Sequence, residues 1–191
     1  MKFVPDRHHR RSLRLQGYDY MQAGAYFVTT CTQSRECLFG EIMDEEMRLN
    51  KAGQMVQSVW NELPQHYTGI VIDAFIVMPN HVHGIIVLGV GAGPSACPTP
   101  GQPQEITSTL SLAAVVHRFK SLTTARYRHG VSQNNWRSFP GRLWQRNYYE
   151  HIIRNEEELR SLRQYILDNP EQWALDQENP ALLERPRHRA T

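Results

Sequence analysis

His81-Val82-His83 sets two imidazoles two residues apart. In a β-strand, residues i and i+2 leave the same face. Both rings would then point one way and offer a bidentate site for a divalent metal ion. The same spacing suits a pair of core or hydrogen-bonding histidines, and the motif alone does not choose between them. The pair follows Pro79-Asn80, a turn-forming dipeptide, so it falls at a strand end, where a cleft can open. A second set of chemistry-bearing residues lies over residues 155–169. At roughly 100° per residue, Leu159, Leu162 and Ile166 make a buried helical stripe. Tyr165 sits on its flank, Asn169 lies about 40° from Tyr165, and Glu158 projects in nearly the same direction two turns earlier. If this helix packs over the histidine strand, a phenol and an amide oxygen reach the imidazoles. An amphipathic tyrosine at the edge of a core would occupy the same position.

The elements that must position these groups are legible from periodicity and punctuation. Residues 26–32 (YFVTTCT) read as a strand, and residues 38–43 and 47–50 as a hairpin around an acidic turn. Asn50 caps a helix from Lys51 to about Leu63, with Met55, Val56, Val59, Trp60 and Leu63 on one face and Pro64 ending it. Residues 70–78 and 81–88 are apolar on both faces and predict two central antiparallel strands. Residues 89–107 are rich in Gly and Pro and predict a flexible, exposed insertion loop. Ser111 or Thr109 caps a second helix through about Tyr127, with Leu112, Val115, Val116, Phe119 and Leu122 inward and His117, Arg118, Lys120 and Arg126 outward. A polar loop with Gly130, Asn134 and Asn135 follows, then a strand over residues 143–153. Asn155 with Glu158 marks the start of the third helix, and Pro170 ends it near Asn169. Helices inserted between antiparallel strands argue for an α+β sandwich. One domain over residues 1–191 is expected, with a basic arm over about 1–15 and a C-terminal tail over about 171–191.

Composition narrows the classes. Of 191 residues, 40% are apolar, enough for a core. No run of about 18 apolar residues occurs, so no membrane span is expected. Cys31, Cys37 and Cys97 form no CxxC pair, which fits reduced thiols and a cytoplasmic location. The formal net charge is only +2, yet Ile106 to Tyr149 contains no Asp or Glu and holds Arg118, Lys120, Arg126, Arg128, Arg137, Arg142 and Arg146. Lys2, Arg7, Arg10, Arg11 and Arg14 open the chain. Such segregation suits a phosphate backbone, although a solvated charged surface accounts for it equally. Trp136, Phe139, Trp144, Tyr148 and Tyr149 are interleaved with the acid-free span. They can stack on single-stranded bases, or, for Trp144 and Tyr148, pack in the core.

Three segments, VMPNHVHGIIV, WQRNYYEHIIRNEEELRSLRQYILDNP and RSLRLQGYDY…AYFVTTCTQSRECLFGEI, resemble the REP-associated tyrosine transposases of the HUH single-tyrosine superfamily. The resemblance runs from about Arg11 to Pro180 and omits residues 89–107. It implies a ferredoxin-like antiparallel sheet with packed helices, His81 and His83 as metal ligands, Asn169 as the third, and Tyr165 as the nucleophile. The implied cofactor is Mg²⁺ or Mn²⁺, with other divalent ions able to substitute. The implied substrate is single-stranded DNA carrying hairpin or palindromic repeats, cut and rejoined through a 5′-phosphotyrosine by a monomer or homodimer. Arg118, Lys120, Arg126, Arg142, Trp144 and Arg146 are the expected DNA contacts, most of them bordering the histidine face. The alternatives are a non-catalytic protein that binds structured single strands and a hydrolytic nuclease. The latter needs carboxylates beside the histidines, and the two central strands offer only Asp73.

Overall fold

The computed structural model describes residues 23–89 and 110–183. The basic opening arm, nearly all of the 89–107 loop and the last part of the C-terminal tail lie outside the described residues. The elements are β1 (Gly24–Cys31), β2 (Gly40–Met43), β3 (Glu46–Leu49), α1 (Lys51–His66), β4 (Ile70–Val77), β5 (His81–Leu88), α2 (Leu112–Gln133), β6 (Tyr149–Ile153), α3 (Glu156–Asp168) and a short α4 (Pro180–Leu183). Apart from the β2–β3 hairpin, β1-α1-β4-β5-α2-β6 is a βαββαβ unit. Its sheet order is β4-β5-β1-β6 with every neighbour antiparallel. That is the ferredoxin-like arrangement, and the α+β class expected from the sequence holds.

Polar side chains start the three long helices. Asn50 Oδ1 accepts from Gly53 N at 2.9 Å, Ser111 Oγ from Ala114 N at 3.2 Å, and Asn155 Oδ1 from Glu158 N at 2.8 Å. Each cap satisfies an amide that the first turn leaves without a partner.

Strand β4, expected as a central strand, forms one edge of the sheet, and three boundaries shift from the sequence expectation. Helix α1 runs through Pro64 to His66; proline forfeits one i→i−4 hydrogen bond there, and the helix ends within a turn of it. Helix α2 continues past Tyr127 to Gln133. Gly130 lies inside it at a place where a Cβ would meet the Trp136 ring at 2.1 Å, so the close packing there requires glycine. Strand β6 begins only at Tyr149. Of the preceding residues, Trp144 makes an isolated bridge to Thr32.

Alternation along β5 gives the sheet two different interiors. Val82, Ile86 and Leu88 face α1 and α2 in a large cluster with Trp60, Leu63, Phe119 and Tyr127. Gly84 lies on this side, where a Cβ would come within 2.4 Å of the Trp60 ring. Ile85 faces the other way, into a smaller cluster with Phe27, Ile153, Leu159, Leu162 and Ile166 beneath α3. Helix α3 is pinned to the β4 edge by Arg163, whose Nε and Nη2 donate to the two Asp73 oxygens at 2.8 and 2.6 Å. This fork, outweighing partial burial, holds the Asp73 carboxyl below its usual range.

Candidate metal and tyrosine site

Both histidines take the α3 side of β5. Their Nε2 atoms face each other at 3.0 Å, and the rings sit 4.6 Å apart. The expectation that the imidazoles leave one strand on one face and converge is met. Each outer nitrogen is engaged: His81 Nδ1 with Asn80 Oδ1 at 2.8 Å, and His83 Nδ1 with Thr29 Oγ1 at 2.8 Å. Exposure is 0% for His81 and 4% for His83. Burial lowers both pKa values, partly countered at His81 by the charges of Asp176 and Glu178 and reinforced at His83 by His81. The pair is therefore held neutral, the form in which an imidazole carries a lone pair for a metal.

Helix α3 delivers Tyr165 and Asn169 to the same place. The Tyr165 ring packs edge-on against His83 at 5.3 Å and against Phe27 at 6.0 Å. Burial, then the Asp176 carboxylate, pushes its phenol up to about 12. Asn169 is 2% exposed, and its amide lies within hydrogen-bonding reach of His81 and Tyr165. Its Oδ1 meets no hydrogen-bond donor among the described residues. A buried amide oxygen left this way costs about 1–3 kcal/mol, unless a ligand takes its lone pair.

The residues that sequence reasoning missed lie just beyond α3. Asp176 Oδ2 stands 3.7 Å from His81 Nε2, and His81, His83 and Asp176 together offer ligand atoms within 4.8 Å of one another. Trp173 covers His81, with ring centroids 6.0 Å apart. Glu178 is fixed by Arg35, whose Nε donates at 2.6 Å. Burial opposes ionisation of Glu178, but Arg35, joined by His81 and Cys31, keeps the carboxyl below its usual range. Residues 171–178, assigned to a tail by sequence, thus close over the histidines. The only signal for them was the acid pair Asp176 and Glu178 directly after α3 and Trp173.

These donors fit a divalent ion. Two neutral imidazole nitrogens, a carboxylate and an unengaged amide oxygen form the mixed set that first-row and Mg²⁺-like ions accept. The 3.0 Å between the Nε2 atoms also matches the spacing of neighbouring ligands on an ion with bonds of about 2.1 Å. Thr29 and Asn80 occupy the outer nitrogens as supporting partners do in metal sites.

The expected DNA contacts divide. Arg142 and Arg146 are exposed on the segment leading to β6. There Gln145 N donates to Cys31 O at 2.9 Å, and Cys31 lies opposite His81 in register. Arg118 and Arg126 project from α2, which packs on the other face of the sheet, and Arg126 is paired with Glu62 at 2.6 Å. The expectation that most of the set borders the histidines is therefore corrected. Trp144 is 4% exposed and donates Nε1–H to Thr123 Oγ1 at 2.8 Å; it is a core residue, unavailable for stacking. Lys120 Nζ donates to the carbonyls of Gln145 and Asn147, each at 3.0 Å. It braces the turn that carries Arg146 and is not a free phosphate contact. Among the tyrosines, Tyr148 lies under Lys120 Nζ at 5.4 Å on the large-core side. Tyr149 shares the small cluster with Tyr165.

No family model matches the chain. An uncharacterized protein of Haemophilus influenzae is 41% identical over 182 residues, covering 92% of this chain and 96% of that protein. A solved REP-associated tyrosine transposase bound to a REP hairpin superposes with a TM-score of 0.52 at 20% identity, covering 81% of this chain and 71% of its own. The chain belongs to one family with the Haemophilus influenzae protein, and its fold is tyrosine-transposase-like.

Proposed function

Starting from a tyrosine-transposase fold, we propose that this chain nicks and rejoins single-stranded DNA carrying a hairpin or palindromic repeat. The observation that carries the reading is the packing of the Tyr165 ring on His83, 5.3 Å away, beside two convergent Nε2 atoms. The Tyr165 ring, two neutral imidazoles and the Asn169 amide lie together beneath α3.

His81, His83 and Asn169 would hold Mg²⁺ or Mn²⁺, with Asp176 as a fourth donor while the 171–178 segment is docked. When bound, such an ion supplies positive charge to a non-bridging phosphate oxygen and eases loss of the neighbouring phenol proton. Tyr165 Oη attacks the phosphorus; the new Oη–P bond forms as the P–O3′ bond breaks. The phenol proton leaves, and the departing 3′ oxygen takes one up, giving a 5′-phosphotyrosine and a free 3′-OH. No oxidant or nucleotide is consumed, and attack by a 3′-OH on the same phosphorus reverses the step. Helix α3 carries nucleophile and amide ligand one turn apart, so they keep register. Arg142 and Arg146 would contact phosphates on the β6 side of the site.

Asp176 favours a second reading, hydrolysis by activated water, because it supplies a carboxylate beside the histidines, whereas Asp73 of β4 is engaged by Arg163. A denaturing gel of the protein with hairpin-bearing single-stranded DNA and Mn²⁺ separates the two. A covalent protein–DNA band supports the tyrosine reaction. Cleavage without that band supports hydrolysis, and binding without either product supports a non-catalytic binder.

A further inference from the structure

We infer that Asn80 is a positioning residue that sets which nitrogen of His81 is free to bind a metal and ties that choice to docking of the segment bearing Asp176. The inference rests on the reading of His81 as a ligand. Asn80 is 0% exposed, and all three polar edges of its amide are used. Nδ2 donates to Arg35 O at 3.0 Å and to Glu178 O at 2.6 Å. Because both amide protons go to carbonyls, the side chain has one orientation, and Oδ1 is the atom turned to His81 Nδ1 at 2.8 Å. An amide oxygen only accepts. The proton of neutral His81 is therefore on Nδ1, and the lone pair is on Nε2, which faces His83 and Asp176.

Thr29 imposes no such choice on His83, since a hydroxyl can donate or accept. Without an ion, His83 Nε2–H donates across the 3.0 Å gap to His81, and Thr29 donates to His83 Nδ1. With an ion, the His83 proton moves to Nδ1, and the Thr29 hydroxyl rotates to accept it. One histidine is fixed and the other adapts. The fixed one is wired, through a single amide, to Arg35 O on one side and to the backbone of Glu178, two residues from Asp176, on the other. Loss of the Glu178 contact would free the Asn80 side chain to turn, and with it the His81 tautomer.

Three measurements on the full chain test this. The first uses unsubstituted protein without metal, by ¹⁵N NMR of the imidazoles. His81 should be in the Nδ1–H form; an Nε2–H form overturns the inference without any substitution. The second is calorimetric titration with Mn²⁺ alone. Asn80→Ala should weaken binding about 10–100-fold, the usual cost of losing a ligand's supporting partner. Asn80→Asp keeps an acceptor on Nδ1 and should bind Mn²⁺ more tightly than Asn80→Ala does. The third is hydrogen exchange, where both variants should lose protection over residues 176–179. Circular dichroism identifies a variant that fails to fold, and the NMR result then decides. Unchanged Mn²⁺ affinity in folded Asn80→Ala overturns the inference while the metal reading stands. Failure of the unsubstituted protein to bind Mn²⁺ overturns the metal reading itself.

Discussion

The two faces of the sheet are built from the same strands and differ in what they bury. Toward α1 and α2, β5 offers Val82, Gly84, Ile86 and Leu88 to a cluster with Trp60, Phe119 and Tyr127. Toward α3 it offers His81 and His83 at one end and Ile85 near the middle, and among the described residues the small apolar cluster there holds seven buried residues. The first face gathers the apolar area that stabilises the fold. The second seals polar groups from water, which costs free energy unless they are hydrogen-bonded. Here they nearly all are, with the Asn169 oxygen left over. A period-two strand lets one segment serve both ends, because stability and chemistry reside on alternate residues.

The sharpest way to break this comparison is to truncate each face in turn. Phe119→Ala, on the large face, should cost about 3–5 kcal/mol in chemical denaturation. His83→Leu, on the small face, keeps the volume but strips Thr29 Oγ1 and His81 Nε2 of their shared partner, and should cost about 1–3 kcal/mol, less than the large-face truncation. Equal losses from the two would show that the faces do not divide the work. A second test adds metal. Mn²⁺ at about 100 times its dissociation constant should stabilise the unsubstituted protein by about 2.7 kcal/mol, reversed by a chelator, and should stabilise His83→Leu not at all.

The charged surface sharpens the same division. Arg146→Ala should weaken binding of an unstructured single strand severalfold and reduce the salt slope by about 0.7, one phosphate contact's worth. Arg118→Ala, on α2, should leave both unchanged for that substrate. Equal effects would mean that the strand does not follow the β6 side. The smallest effect concerns Lys120, which burial pushes down to about 8. Its folded pKa lies below the unfolded value of about 10.4, so from about pH 8 upward the unfolded chain binds more protons and stability rises with pH. Lys120→Met should flatten that rise in denaturation curves taken between pH 7 and 10.

Much of this arrangement is legible in the sequence, for identifiable reasons. His81-Val82-His83 reveals its shared face because strand periodicity is strict. Asn50, Ser111 and Asn155 reveal helix starts because capping is local chemistry. The boundaries that differ depend on distant partners: Gly130 sits inside α2 where the Trp136 ring leaves no room for a Cβ, and residues 143–145 meet the end of β1 through one isolated bridge and single hydrogen bonds rather than a ladder. Charge segregation correctly marks a basic span but cannot say which side of a sheet each residue takes, so Arg118, Arg126 and Trp144 were grouped with a site they do not border. Asp176 and Glu178 were missed because no periodicity governs a segment folded back by tertiary contacts with Asn80 and Arg35.

The central claim is that Tyr165 is the nucleophile. Tyr149 is the competitor that geometry retains, since it lies in the same cluster and its proximity contributes to the raised pKa of Tyr165. Tyr148 is turned to the opposite face. Tyr165→Phe removes one hydroxyl and leaves the ring that packs on His83 and Phe27, so folding and DNA binding should survive. The decisive measurement is the covalent adduct on a denaturing gel, with hairpin-bearing single-stranded DNA and Mn²⁺, for Tyr165→Phe, Tyr149→Phe and Tyr148→Phe in parallel. The account predicts that the adduct vanishes in the first and persists in the other two. An adduct that persists in Tyr165→Phe and vanishes in Tyr149→Phe would contradict it.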